Sequence, residues 1–211
     1  MSKIIMFIFC INLLQGEGAE DISFRYGFMG QLQSNPDSTV ELSDKSIVQT
    51  DDAVSINIAY LKDSYFYLIY LDSDGNYSLN LPEDSTDENS QDTLYTTVLQ
   101  GWLTNPPGDE SFYLINSKLP LSYLNKLLSR YENAPDKAII KLAKKIQVEL
   151  DVLDPNAKAE LSSIASRLDK PLVGGVTFRG DGDDDLKDMS LTHECRGTGG
   201  IAFIKIVLNH K

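Results

Sequence analysis

Hydrophobic and polar positions are most sharply ordered in residues 64–81, SYFYLIYLDSDGNYSLNL, where an aromatic run, an Asp-Gly pair and a second alternating run follow one another. An Asp-Gly pair tolerates the positive φ angles of a tight turn, so the pattern predicts a β-hairpin with Asp74 and Gly75 as a two-residue loop. Counting outward pairs Asp72 with Tyr77, Tyr70 with Leu79 and Leu68 with Leu81. Period-two alternation then groups Phe66, Leu68 and Tyr70 with Tyr77, Leu79 and Leu81, and leaves Tyr65, Tyr67, Ile69 and Leu71 on the opposite face. Both faces of the first strand are therefore apolar. A three-residue turn would shift the pairing by one and exchange the faces without changing that conclusion. The second apolar face either lies beneath helices, as on a central strand, or offers Tyr65 and Tyr67 to a partner.

Similar alternation predicts a strand through Ile22, Phe24, Tyr26 and Phe28, and another through Val54, Ile56, Ile58 and Tyr60. A further strand is expected at Phe112 to Ile115. The period then lengthens. Leu121, Leu124, Leu127 and Leu128 fit a short helix; Ile139, Leu142, Ala143, Ile146 and Leu150 fit a longer one beginning after Pro135; Ala157, Leu161, Ile164, Ala165 and Leu168 fit a third beginning near Pro155. The second of these, through Ile139, Leu142 and Ile146, is the expected cover for the hairpin. Strand character returns at Val173 to Phe178 and at Ile201 to Leu208. The chain is thus expected to fold as α+β, with a mainly antiparallel sheet around a central hairpin, two or three helices over one face, and terminal strands returning to the sheet. Residues 20–211 are read as one domain, with a helical segment at 120–168 and C-terminal strands at 172–211.

The start of the chain changes the setting. Lys3, an apolar run at residues 4–14 and a small, polar stretch at 15–19 read as a secretory signal peptide spanning residues 1–19, too short to cross a bilayer. The competing reading is a buried N-terminal strand or helix. Removing the signal removes Cys10 and leaves Cys195 alone, so no intramolecular disulfide is expected. The formal net charge of −12 argues against nucleic acid and anionic membrane surfaces and suits a basic partner.

Candidate chemistry is sparse. Asp181, Asp183 and Asp185 have a spacing that can ligate calcium, with Asp188 as a further donor, but Leu186 and Thr192 stand where an EF-hand loop needs Gly and Glu. Residues 83–92 carry three Asp and two Glu without ligand spacing and read as a solvated loop. His193 and Cys195 share a strand face and could form a thiol site, although no third orienting group is identifiable. His210 is the only other histidine, at the end of the chain, so a zinc site would need ligands from distant segments. No metal or cofactor is expected. Trp102, between the acidic loop and Pro106-Pro107-Gly108, is either an exposed partner anchor or a core residue closing the end of the sheet.

The aromatic strand at residues 65–71, the Asp74-Gly75 turn and the strand from Asn76 to Pro82 resemble a bacterial domain of unknown function, family 4384. The resemblance continues through Pro107-Gly108-Asp109-Glu110 and the strand and helix that follow, and covers about residues 54–131. It does not extend residue by residue over 83–105. It implies an envelope or secreted protein, or an accessory module, and carries over no catalytic residue. The expected function is accordingly a non-enzymatic, protein-binding or structural module of a bacterial envelope or secreted assembly, periplasmic or secreted, with Trp102, Tyr65 and Tyr67 as partner-binding residues. The competing expectation is a hydrolase using the loop of Asp181, Asp183 and Asp185 with His193 or Cys195.

Overall fold

In the computed structural model of the chain, which describes residues 21–82, 93–156, 160–163 and 191–211, eleven strands and two helices follow one another. The strands are β1 (Ile22–Gln31), β2 (Thr39–Glu41), β3 (Ile47–Val48), β4 (Ala53–Leu61), β5 (Tyr65–Leu71), β6 (Tyr77–Asn80), β7 (Thr93–Trp102), β8 (Gly108–Ser117), β9 (Glu160–Ser163), β10 (His193–Gly197) and β11 (Ile201–His210). The helices are α1 (Ser122–Glu132) and α2 (Asp136–Asn156). The fold class is α+β and mainly antiparallel, as the alternation suggests. Two sheets form rather than one. The first has the order β7-β4-β1-β10-β9 with β2 beside β1, and the second has the order β3-β11-β8-β5-β6. Among the described strands, only the β3–β11 pairing is parallel.

Alternation along the strands builds the core between the sheets. Ile22, Phe24, Tyr26 and Phe28 of β1 and Ile56 and Ile58 of β4 meet Phe66 and Leu68 of β5, Phe112 and Leu114 of β8, and Ile206 and Leu208 of β11. Edge-to-face rings, Phe24 on Phe66 at 5.2 Å and Phe28 on Phe112 at 5.0 Å, join the two layers. The outer face of the first sheet is polar at its centre, where Arg25 donates to the Tyr95 hydroxyl at 3.0 Å and Thr97 to Asn57 at 2.6 Å.

The outer face of the second sheet is apolar and lies beneath the helices. Tyr67 and Ile69 of β5, Tyr77 of β6, Tyr113 and Ile115 of β8, and Phe203 of β11 pack against Leu124, Leu127, Leu128 and Tyr131 of α1 and against Ile146, Leu150 and Leu153 of α2. Ile139 and Leu142 are half-buried at the edge of this layer, and Ile146 is its fully buried centre. Tyr67 also anchors α1 directly, since its hydroxyl accepts the Leu121 N–H at 3.1 Å, one of the donors a helix start leaves without an intrahelical partner.

The hairpin differs by one residue from the two-residue expectation. Leu71 faces Tyr77 and Ile69 faces Leu79, so the loop is Ser73, Asp74 and Gly75. Asp72 explains the choice, because its carboxylate accepts the Asn76 backbone N–H at 2.7 Å and the Asn76 side-chain amide at 3.0 Å. Gly75 takes φ +85° at the third loop position, which suits a type I turn closed by a left-handed residue. Tyr77 and Leu79 therefore join Tyr67, Ile69 and Leu71 under the helices, and Phe66, Leu68 and Tyr70 face the other sheet. Because L-residues with branched β-carbons tolerate positive φ poorly, Gly75→Val is expected to lower stability by on the order of 1 kcal/mol or more. A urea denaturation midpoint equal to that of the parent would contradict this turn geometry.

Two further segments depart from the periodicity. The third expected helix does not form as read, because α2 continues through Pro155 to Asn156 and Glu160–Ser163 pairs with β10 as a strand. Strand pairing with β10 prevails there over a helical spacing of Leu161. The stretch containing Trp102, to which the alternation assigns no element, is the ten-residue strand β7 along β4, with one irregularity opposite Ile56 and Asn57. The signal segment 1–19, the loop 83–92, the strand expected at Val173 to Phe178, and Asp181, Asp183, Asp185 and Asp188 lie outside the described residues.

Candidate functional site

Alternation that fills the sandwich with apolar side chains ends, at one end of the second sheet, in polar ones. Glu110 continues the inward row of Phe112 and Leu114 on β8, and His210 continues that of Ile206 and Leu208 on β11. Both are buried, at 2% and 4% exposure. They face each other through His210 Nδ1 and Glu110 Oε1 at 3.2 Å. The second carboxylate oxygen accepts the Tyr70 hydroxyl at 2.5 Å. On the outer side, His210 Nε2 lies 3.0 Å from Oγ1 of Thr50, which follows β3, and that hydroxyl lies 3.3 Å from the side-chain amide of the exposed Asn105.

Donor and acceptor arithmetic limits the directions open to this chain. Burial, first, and then the bond to Glu110 push the Tyr70 hydroxyl well above its ordinary range, so it stays protonated and donates to Oε2. With Glu110 as the carboxylate, Oε1 takes a proton from Nδ1, and in the neutral tautomer of that arrangement Nε2 is an acceptor. The single Thr50 proton has two acceptors within reach, Nε2 at 3.0 Å and the Asn105 Oδ1 at 3.3 Å. Asn105 presents its Oδ1 to that hydroxyl; a flipped amide would present its NH₂ instead and leave the Thr50 proton to Nε2. The result is a carboxylate, an imidazole and a half-exposed hydroxyl in series.

The same end is held rigidly. Asp52, buried, accepts the backbone N–H groups of Gln33 at 2.6 Å and Gln49 at 2.7 Å, which pins the segment carrying Thr50. Leu103 and residues 51 and 52 exchange backbone bonds of 2.8 and 3.0 Å, which sets the strand end that leads to Asn105. Ser73 in the hairpin loop donates to the Pro106 carbonyl at 2.7 Å.

His193 and Cys195 form no comparable arrangement. Cys195 is fully buried in the sandwich core opposite Phe24, and burial pushes its thiol up to about 12, which leaves negligible thiolate near neutrality. His193 lies tilted against Tyr26, ring centroids 5.1 Å apart, and pairs through Nε2 with Glu41 of β2 at 2.5 Å. Among the described residues, no group of three or more His, Cys, Asp or Glu is placed to hold a metal.

The three aromatic residues singled out in the sequence separate. Trp102 is 73% exposed at the end of β7, Tyr65 is 47% exposed at the start of β5, and Tyr67 is buried under α1. Trp102 faces Ala53 at the beginning of β4, whereas Tyr65 follows the end of β4, so a strand of roughly 27 Å lies between them. They do not form one platform. Neither Thr50 nor Glu110 nor Tyr70 stands out in the sequence as a site residue, because 160 positions separate Thr50 from His210 and 100 separate Glu110 from His210. The available signal was parity: Glu110 and His210 both occupy inward positions of otherwise apolar strands.

No protein-family model, curated protein or solved structure matches this chain. None of the described helices is long and apolar enough to cross a membrane.

Proposed function

We propose that the chain is an exported protein-binding or structural accessory module of a bacterial envelope or secreted assembly, periplasmic or secreted, as its resemblance to family 4384 and its N-terminal segment imply. The observation that carries the binding reading is Trp102. A Trp side chain left 73% exposed at a strand end, on a scaffold pinned by the Asp52 bonds, is a rigid apolar anchor that needs little ordering on association. The net charge of −12 favours a partner surface with basic groups around the apolar contact. Cys195, buried and with its thiol pushed up, supports recognition over turnover at the His193 and Cys195 pair.

Trp102→Ala tests the reading. Capture of the partner from the native envelope, identified with the parent protein and then titrated in purified form, is expected to weaken about tenfold or more. The urea midpoint should move little, because the side chain is mostly in water. Undiminished affinity for the purified partner would remove Trp102 from the interface and the reading with it.

A further inference from the structure

We propose that Thr50, His210 and Glu110 form a nucleophilic centre that hydrolyses small carboxylic esters, with the Asn105 amide, turned so that its NH₂ replaces Oδ1 at the site, as the donor to the developing oxyanion. This goes beyond binding, and it departs from the expectation of a non-enzymatic chain. The argument rests on order and access. The acid and the imidazole are both enclosed, while the hydroxyl is half-exposed and the amide exposed. Such a gradient lets an acyl group reach the nucleophile from solvent while the base keeps one tautomer inside. The spacings of 3.2 Å and 3.0 Å are those at which a carboxylate orients an imidazole and an imidazole withdraws a hydroxyl proton.

A structural buried network explains the acid and the ring but not why the series continues to a half-exposed hydroxyl flanked by an exposed amide. Tyr70 adds a further constraint by occupying the second carboxylate oxygen, which leaves Glu110 only its Oε1 edge for His210. Glu110 and Tyr70 are positioning residues. Thr50, His210 and Asn105 are the groups that would touch the reacting atoms.

The chemistry balances without a co-reactant other than water. Thr50 Oγ1 bonds to the ester carbonyl carbon as its proton passes to His210 Nε2, and the carbonyl oxygen takes the negative charge beside the Asn105 NH₂. Collapse breaks the carbon–alkoxy bond, and the alcohol leaves with the proton from Nε2. Water then attacks the acyl-threonine, giving its proton to Nε2. Release of the acid breaks the Thr50 Oγ1–acyl bond, and the proton returns to Oγ1. Substrates without a negative charge are favoured, since Asp51 and the buried Asp52 and Glu110 adjoin the site in a chain of net charge −12.

The test is hydrolysis of p-nitrophenyl acetate by the described protein in full-length form, with Thr50→Ala, Thr50→Ser and Glu110→Gln beside the parent. Parent turnover should be saturable and should leave an acetyl group on the peptide containing Thr50 after acid quenching. Thr50→Ala should lose that adduct and drop kcat/KM by about a hundredfold or more, and Thr50→Ser should restore both. Because Thr50 is half-exposed, the Ala variant is expected to keep the parent's denaturation midpoint. Glu110→Gln would offer Nδ1 a donor and reverse the tautomer, so kcat should fall at unchanged KM. Turnover by the parent no faster than buffer, or an equal adduct and rate in Thr50→Ala, would overturn the proposal.

Discussion

Ile146→Asp should unfold the domain under conditions in which the parent is fully native. Ile146 is completely buried where α2 crosses the outer face of the second sheet, among Tyr67, Ile69 and Tyr113 and the α1 leucines. Truncating a buried Ile costs about 2–5 kcal/mol through lost transfer energy and the cavity left behind. A carboxylate there adds an unpaired charge in an apolar layer. Together these approach the whole stability of an ordinary domain, about 5–15 kcal/mol. Far-ultraviolet circular dichroism against urea measures the effect. The contrasting variant is Ile140→Asp on the same helix, whose side chain is 69% exposed and whose midpoint is expected to stay within about 0.5 kcal/mol of the parent. Normal folding of Ile146→Asp would show that α2 is peripheral and that the aromatic face of β5 is available to a partner.

Gly197→Ala is expected to cost about 3 kcal/mol, large for the addition of one methyl group. Gly197 ends β10 in the first sheet, and Ile201 begins β11 in the second, so this short connection carries the chain from one layer to the other. A β-carbon at Gly197 would lie 1.9 Å from the Ile201 carbonyl oxygen and 2.5 Å from the Ala202 Cα. Those are backbone atoms and cannot rotate aside. The methyl group would force the two sheets apart at their corner, next to the row that leads through Ile206 and Leu208 to His210. Gly199 in the same turn offers the comparison, because it has φ +77° but no atom within 4 Å of an added β-carbon. Gly199→Ala should cost only on the order of 1 kcal/mol, from backbone conformation alone. Equal losses for the two variants in guanidinium denaturation would refute the close-approach argument.

Several elements were legible because their causes are local. The inward rows of β1 and β4 follow from apolar positions alternating over seven residues, Ile22 to Phe28 and Val54 to Tyr60, and α1 and α2 follow from apolar spacing bounded by Pro120 and Pro135. The hairpin itself was legible from Asp74 and Gly75, but its register was not. Two hydrogen bonds from Asn76 to the Asp72 carboxylate favour the three-residue loop, and the energy separating the two loops is of the order of such a pair. β7 escaped notice for a different reason. Thr, Gln and Gly interrupt its apolar positions because it lies at the edge of a sheet whose outer face is polar, so no clean period marks it.

Sequence alone determined the α+β composition, the presence of two apolar faces on β5, and the helical stripe that covers one of them, because each depends on side-chain period within a single segment. Tertiary structure decided that the other face meets a second sheet, that Trp102 points into solvent while Tyr67 is buried, and that Thr50, Glu110 and His210 stand in series. Those outcomes depend on which strand lies beside which across the full length of the chain. Pairing of β11 with β3 and β8 brings residues 100 and 160 positions apart to within hydrogen-bonding distance, and no local pattern encodes such a pairing.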